Sequence, residues 1–166
     1  MPDAACFGSH DLDYGLELIR PFVSQIKFPV LAANLHFKNS TYMTGIVRPS
    51  ITLSISGINV GIIGYISPYN HLLYKQVNIV LEDEIKAVKR EADKMINNNK
   101  MINNNIDIII ALGHSGIDTD MAIAQNVEDV SIVIGGLTST FLWNGKKPHT
   151  EEPRGSYPIE IIHVER

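Results

Sequence analysis

The stretch Ile106-Asp107-Ile108-Ile109-Ile110-Ala111-Leu112-Gly113-His114-Ser115-Gly116 constrains the fold more than any other part of the chain. From Ile106 to Leu112 only Asp107 is polar, and four of the seven residues are β-branched. A run that short, with no polar alternation, predicts a strand covered on both faces, as in the parallel sheets of α/β folds. It is expected to stop at Gly113. The glycines there permit a tight turn and close backbone approach, leaving His114 exposed just past the carboxyl end of the strand. Open α/β sheets hold their ligands at that edge.

The remaining segments supply neighbours for this strand. From Tyr14 to Ile26, apolar residues fall at Leu16, Leu18, Ile19, Phe22, Val23 and Ile26, the pattern of a helix facing a sheet. Pro21 is expected to shorten or kink that helix. Phe28 to Ala33 reads as a buried strand, and His36 to Pro49 as a polar surface loop. Ile51 to Ser56 alternates strictly, Gly57 breaks the run, and Val60 to Ile66 follows as a more buried strand, which together predict a hairpin. Ser67 to Gln76 reads as a second loop.

Glu82-Asp83-Glu84 opens the clearest helix, its acids complementing the positive end of the macrodipole. Ile85, Val88, Ala92 and Met95 form its apolar stripe. Lys94 to Asn99 is then repeated identically as Lys100 to Asn105. Six residues rotate a helix by about 240°, so the two copies cannot face one surface. One copy is expected in a polar loop, as a tolerated insertion. Beyond the central strand, Met121, Ala122, Ala124 and Val127 predict a short helix capped by Asp118 or Thr119, with Asp120 in solvent. Val130 to Ile134 reads as another buried strand, and Phe141 to Trp143 and Pro158 to Val164 as final strands. Strands alternating with helices predict an α/β fold with a largely parallel sheet. The turns Gly8-Ser9-His10, Gly113-His114-Ser115 and Gly135-Gly136-Leu137 then share one edge.

Composition narrows the function. The 166 residues, 45% of them hydrophobic, suffice for one core, and one domain is expected. A net charge of −4 without a basic patch argues against nucleic acid, and no run of about 18 apolar residues could span a membrane. Cys6 is the sole cysteine, so no internal disulfide forms, and its place at a strand end suits a small buried hydrophobe. The opening Met1-Pro2-Asp3 lacks the pattern of a signal peptide. Asn39-Ser40-Thr41 is a glycosylation sequon, which matters only in a secreted chain. His36, His71, His149 and His163 match no ligand pattern and read as surface residues. Tyr65, Tyr69 and Trp143 read as core or rim packing.

The glycine turns, in their order, are similar to those of calcineurin-type metallophosphoesterases and, more closely, of the 5′-nucleotidase and apyrase family. The matching text is Gly8-Ser9-His10-Asp11-Leu12-Asp13-Tyr14-Gly15 against the family's GNHEFD-x-G, then Phe28 to Asn34, Val60 to Tyr65 and Glu82 to Ile85. It continues through Ile109 to Gly116 and Gly135 to Leu142. The resemblance covers nearly the whole chain. It implies a four-layer α/β sandwich, two facing sheets flanked by helices, with 1–166 forming part of the amino-terminal metal domain and therefore incomplete.

It also implies a chemistry, in which two divalent metal ions (zinc, magnesium or calcium) share a phosphate and activate water for in-line attack on phosphorus. The substrates implied are nucleoside phosphates such as AMP and ADP, outside the cell or at its surface. By the same resemblance His10, held by Asp13, meets charge on the transferring phosphoryl group, and His114 is a ligand of the second metal. Three positions depart from the family pattern. Ser9 replaces its Asn, a shorter and weaker ligand; Leu137 replaces an imidazole; Ser139 replaces an amide or imidazole. The family's upstream D-x-H and GD motifs and its carboxyl-terminal nucleotide-binding domain are not in this text. These departures predict an impaired or inactive hydrolase. The alternatives are a degenerate nucleotidase that binds nucleotide or a protein partner without turnover, and a truncated gene product.

Overall fold

The structure, a computed structural model, describes residues 1–38, 45–68, 79–102, 105–148 and 150–163. Its elements are β1 (Ala5–Cys6), α1 (Leu16–Gln25), β2 (Val30–Leu31), β3 (Leu35–Phe37), β4 (Val47–Arg48), β5 (Ser50–Ile55) and β6 (Ile58–Ile66). There follow β7 (Ile79–Leu81), α2 (Glu84–Ile102), β8 (Ile108–His114), α3 (Ile117–Asn126) and β9 (Ile132–Ile134). One sheet runs β5-β6-β8-β9, with β5 antiparallel to β6 and the other pairs parallel. A second, parallel throughout, runs β1-β2-β4, and β3 pairs with β7 antiparallel.

Alternation along β6 and β8 explains how these pieces stack. Ile63 and Tyr65 of β6, with Ile109 and Ala111 of β8, pack against Ala87, Val88, Ala92 and Met95 of α2 and Ile123 of α3. Val60 and Ile62, with Ile110 and Leu112, point to the other face and meet Leu31 of β2. On the far side of the second sheet, Val30 and Ala32 join Phe7, Leu12, Ile19 and Val23, which brings α1 into place. Helices, sheet, sheet and helix form the four layers expected of an α/β sandwich with facing sheets. Side chains two residues apart on a strand share a face. His114 therefore falls on the face that meets the second sheet, and Gly113 on the face that meets the helices.

Local features follow from local chemistry. The β5–β6 hairpin turns through Ser56 and Gly57, both with positive φ (52° and 85°), the geometry of a two-residue turn matched to strand twist. Asp83 caps α2, its Oδ1 accepting from the amide of Lys86 at 2.9 Å. Asn34, wholly buried, accepts from the Ile66 amide and donates to the Ile66 and Glu82 carbonyls, fastening β6 to β7. Glu82 also pairs with Arg90 and His36. Desolvation pushes its carboxyl up, but those two partners outweigh it and hold it below the usual range.

Several expectations need correction. Helix α1 continues past Pro21, and Leu18 and Phe22 are exposed, leaving Ile19 and Val23 to face the core. The segment 36–49 is not all loop, because β3 runs into its start and β4 lies within it. Helix α2 runs through the first hexapeptide copy and into the second, ending at Ile102. Strand β8 starts at Ile108 and runs through Gly113 to His114, two residues past Leu112, with Ile66 pairing with His114. Strand β9 is an edge with Ile132 and Ile134 exposed, since one side of it has no neighbouring strand among the described residues. The segments 141–143 and 158–163 form no strand; a single bridge joins Leu142 to Gly155, and Phe141 stacks on Trp143 instead. The sequon, Tyr69, His71 and His149 lie outside the described residues.

Candidate functional site

The carboxyl ends of β1, β8 and β9 meet at His114. A Cβ built on Gly8, just after β1, would stand 3.8 Å from Nε2 of His114, and one on Gly136, just after β9, 2.9 Å from Nδ1. The imidazole thus stands between two glycines, and a side chain at 136 would displace it. The turns are tied together directly. The Gly116 amide donates to the Gly136 carbonyl at 3.0 Å, and the Ile117 amide to Oγ1 of Thr138 at 3.1 Å. That hydroxyl takes the capping role expected of Asp118 or Thr119; the residue preceding α3 is Gly116, with φ of 89°. Asp118 is exposed and pairs with Arg154.

The turn after β1 is built from its own side chains. Oδ2 of Asp11 accepts from the Gly8 amide at 2.7 Å, and the Gly15 amide closes the bend on Leu12. His10 donates through Nδ1 to Oδ2 of Asp13 at 2.7 Å. The His10 side chain is 82% exposed while that of Asp13 is 25% exposed, so the carboxylate anchors the ring and leaves Nε2 facing solvent. Ser9 is buried. Leu137 and Ser139 are both exposed on the 135–140 turn, and Leu137 has a φ of 79°, a left-handed conformation that branched side chains rarely adopt. Among the described residues, no three His, Cys, Asp or Glu side chains gather as a metal would require. His36 pairs with Glu82, and Nε2 of His163 donates to the Ala124 carbonyl at 2.8 Å.

Behind this edge lies a buried pair that the sequence does not disclose. Asp120, expected in solvent, is 8% exposed, and its Oδ1 accepts from the Tyr65 hydroxyl at 2.6 Å. Burial pushes the Asp120 carboxyl above its ordinary value, opposed by the Tyr65 hydrogen bond and the nearby His114 charge. Tyr65 is pushed up as well, first by burial and then by its bond to Asp120. Burial likewise raises Cys6, which keeps it a thiol rather than a nucleophile. No signal in one sequence marks Asp120, because an acid in the first turn of a helix ordinarily serves the macrodipole.

The raised Asp120 value has a measurable consequence. The native chain holds that proton more tightly than the unfolded one. The carboxyl's contribution to stability is therefore full below the ordinary carboxylate range of about 4 and is lost as pH rises through the folded value. Asp120→Asn cannot titrate. Urea melts over a pH series should show the parent losing stability relative to Asp120→Asn on going from acid to neutral pH. A parallel pair of curves would contradict the burial argument.

Known proteins share this arrangement of strands and turns. The chain is 43% identical to the 5′-nucleotidase of Mus musculus over 163 residues, covering 96% of this chain and 27% of the relative. It is 36% identical over 161 residues to the snake venom 5′-nucleotidase of Naja atra, covering 95% of this chain and 29% of the relative. Among solved structures, the 5′-nucleotidase precursor of Thermus thermophilus superposes with a TM-score of 0.78 at 23% identity. That match covers 94% of this chain and 30% of the Thermus chain, a likeness of fold. No family model matches the sequence. The chain spans between a quarter and a third of the length of the curated relatives it matches.

Proposed function

We propose, from the premise that this chain belongs to the 5′-nucleotidase family over the residues aligned, that it binds nucleoside phosphates and releases phosphate from them poorly or not at all. The observation that carries the reading is one edge with two halves. His10, braced by Asp13, offers an outward Nε2 to an anion, whereas Leu137 occupies the place where the family resemblance calls for an imidazole. The venom relative supports an extracellular or cell-surface setting. Among the described residues no helix is long and apolar enough to cross a membrane.

The resemblance implies divalent metals, and the residues here do not fit two of them. Zinc-type sites take three or four protein ligands. His114 offers one imidazole. Leu137 has no donor atom, the Ser139 hydroxyl is a poor neutral ligand, and no third acid or imidazole gathers beside them among the described residues. What remains is recognition. Asp13 accepts the Nδ1 proton of His10, which fixes the orientation of the ring and leaves Nε2 to face a phosphate. AMP and ADP are the nucleotides of choice for a test.

Phosphate release from AMP and ADP by the purified chain, with zinc, magnesium or calcium and beside an EDTA control, should stay at the blank. AMP should bind equally well with and without EDTA. Metal-dependent turnover far above the blank would overturn this reading and favour a working hydrolase with ligands beyond those described.

A further inference from the structure

Two glycines lie where a side chain would have no room, and both of the neighbours responsible belong to one buried pair. A Cβ on Gly113 would stand 1.9 to 2.3 Å from three atoms of the Tyr65 ring, and one on Gly135 would stand 1.8 Å from Oδ2 of Asp120. The hydroxyl of Tyr65 reaches Asp120 across the layer between β6 and α3. One partner therefore covers the strand immediately before His114, and the other abuts the chain immediately before Gly136 and Leu137.

We propose that Tyr65 and Asp120 are positioning residues for His114. The pair sets the separation of the turns at 113–116 and 135–138, and hence the place where the imidazole stands between Gly8 and Gly136. The inference rests on the proposal that this edge, where His114 stands between the turns that carry His10 and Leu137, is the nucleotide site. The bonds from Gly116 to Gly136 and from Ile117 to Thr138 tie the turns at their ends. Depth is set from beneath. Tyrosine has few rotatable bonds, and here its ring is held against the Gly113 backbone while its hydroxyl is held by a carboxylate in a medium of low dielectric, where such a bond is strong. Supporting groups of this kind fix the orientation of the residues that touch a ligand, and their loss costs about tenfold or more in affinity or activity.

The test uses the full chain labelled with nitrogen-15, in EDTA, with the imidazole signals of His114 identified by their loss in His114→Gln. Tyr65→Phe keeps the ring over Gly113 and removes the donor. It is expected to move the His114 ring signals, leave those of His10 in place, and weaken AMP binding roughly tenfold while the circular dichroism spectrum stays parental. Asp120→Asn retains an acceptor oxygen for Tyr65 and should keep the parental AMP affinity, whereas Asp120→Ala should behave like Tyr65→Phe. If Tyr65→Phe loses the fold, Asp120→Ala read against Asp120→Asn decides the matter. Parental His114 signals in both Tyr65→Phe and Asp120→Ala overturn the proposal whether or not AMP binds. A parent that takes up no AMP overturns the nucleotide-binding reading instead, and the ring signals still judge the pair.

Discussion

Replacing Gly64 by alanine should destabilise the chain by about 3 kcal/mol, the upper end of what overpacking a core costs. The new methyl would stand 2.4 Å from the carbonyl carbon of Leu31 and 2.5 Å from its oxygen. Those are backbone atoms of β2, which is paired on both sides, with β1 and with β4. No rotamer change can clear them. The carbonyl of Gly64 is in turn held by the Ala33 amide at 2.7 Å, so β6 cannot slide away without breaking that bond. The two sheets must separate locally, and the layer of Leu31, Val60 and Ile62 between them loses contacts. Urea unfolding monitored by circular dichroism measures the cost. Gly155→Ala is the control, because its methyl meets only Leu142 at an ordinary 3.9 Å and should change stability by less than about 0.5 kcal/mol. Equal midpoints for the two variants would mean that the sheets do not approach as described.

Gly64 also shows what a sequence can and cannot disclose. The hairpin around Ser56-Gly57 and helix α2 were legible from periodicity and strand β8 from its unbroken apolar run, although the ends of α2 and β8 were not. Strands β3 and β4 were not, since two or three residues are too few to display a period of two. The apolar run at 141–143 looked like a strand because hydrophobicity alone does not distinguish a ladder from a stack, and Phe141 settles on Trp143. At the site, the three-residue spacing of His10 and Asp13 within a turn was readable, and so was the meeting of three glycine turns once the sheets were taken as parallel. The reason for the glycines was not. Gly64 faces a backbone 33 residues earlier in the chain, Gly113 faces Tyr65, and Gly135 faces Asp120. Each is a fact about a partner far away in sequence, and no local pattern encodes it.

The second large effect is expected at Gly113, and it separates a steric argument from a general intolerance of the strand. Alanine there would drive a methyl into the Tyr65 ring, 1.9 Å from Cζ. The register places Tyr65 directly opposite Gly113. The ring cannot retreat, because it is fully buried among Ala87, Ala111 and Ile123 and its hydroxyl is tethered to Asp120. A loss of about 3 kcal/mol follows, the cost of an overpacked core at its usual upper limit. If the cause is this one ring, the damage must depend on it. In a Tyr65→Ala background the same Gly113→Ala change has space to fill and should cost far less. The two substitutions should therefore be non-additive by up to about 3 kcal/mol, the range seen for residues in direct contact. Additive losses in urea melts of the four-member cycle would mean that strand β8 rejects a methyl at 113 for a reason other than Tyr65. The ring would then not be what holds the His114 turn in place.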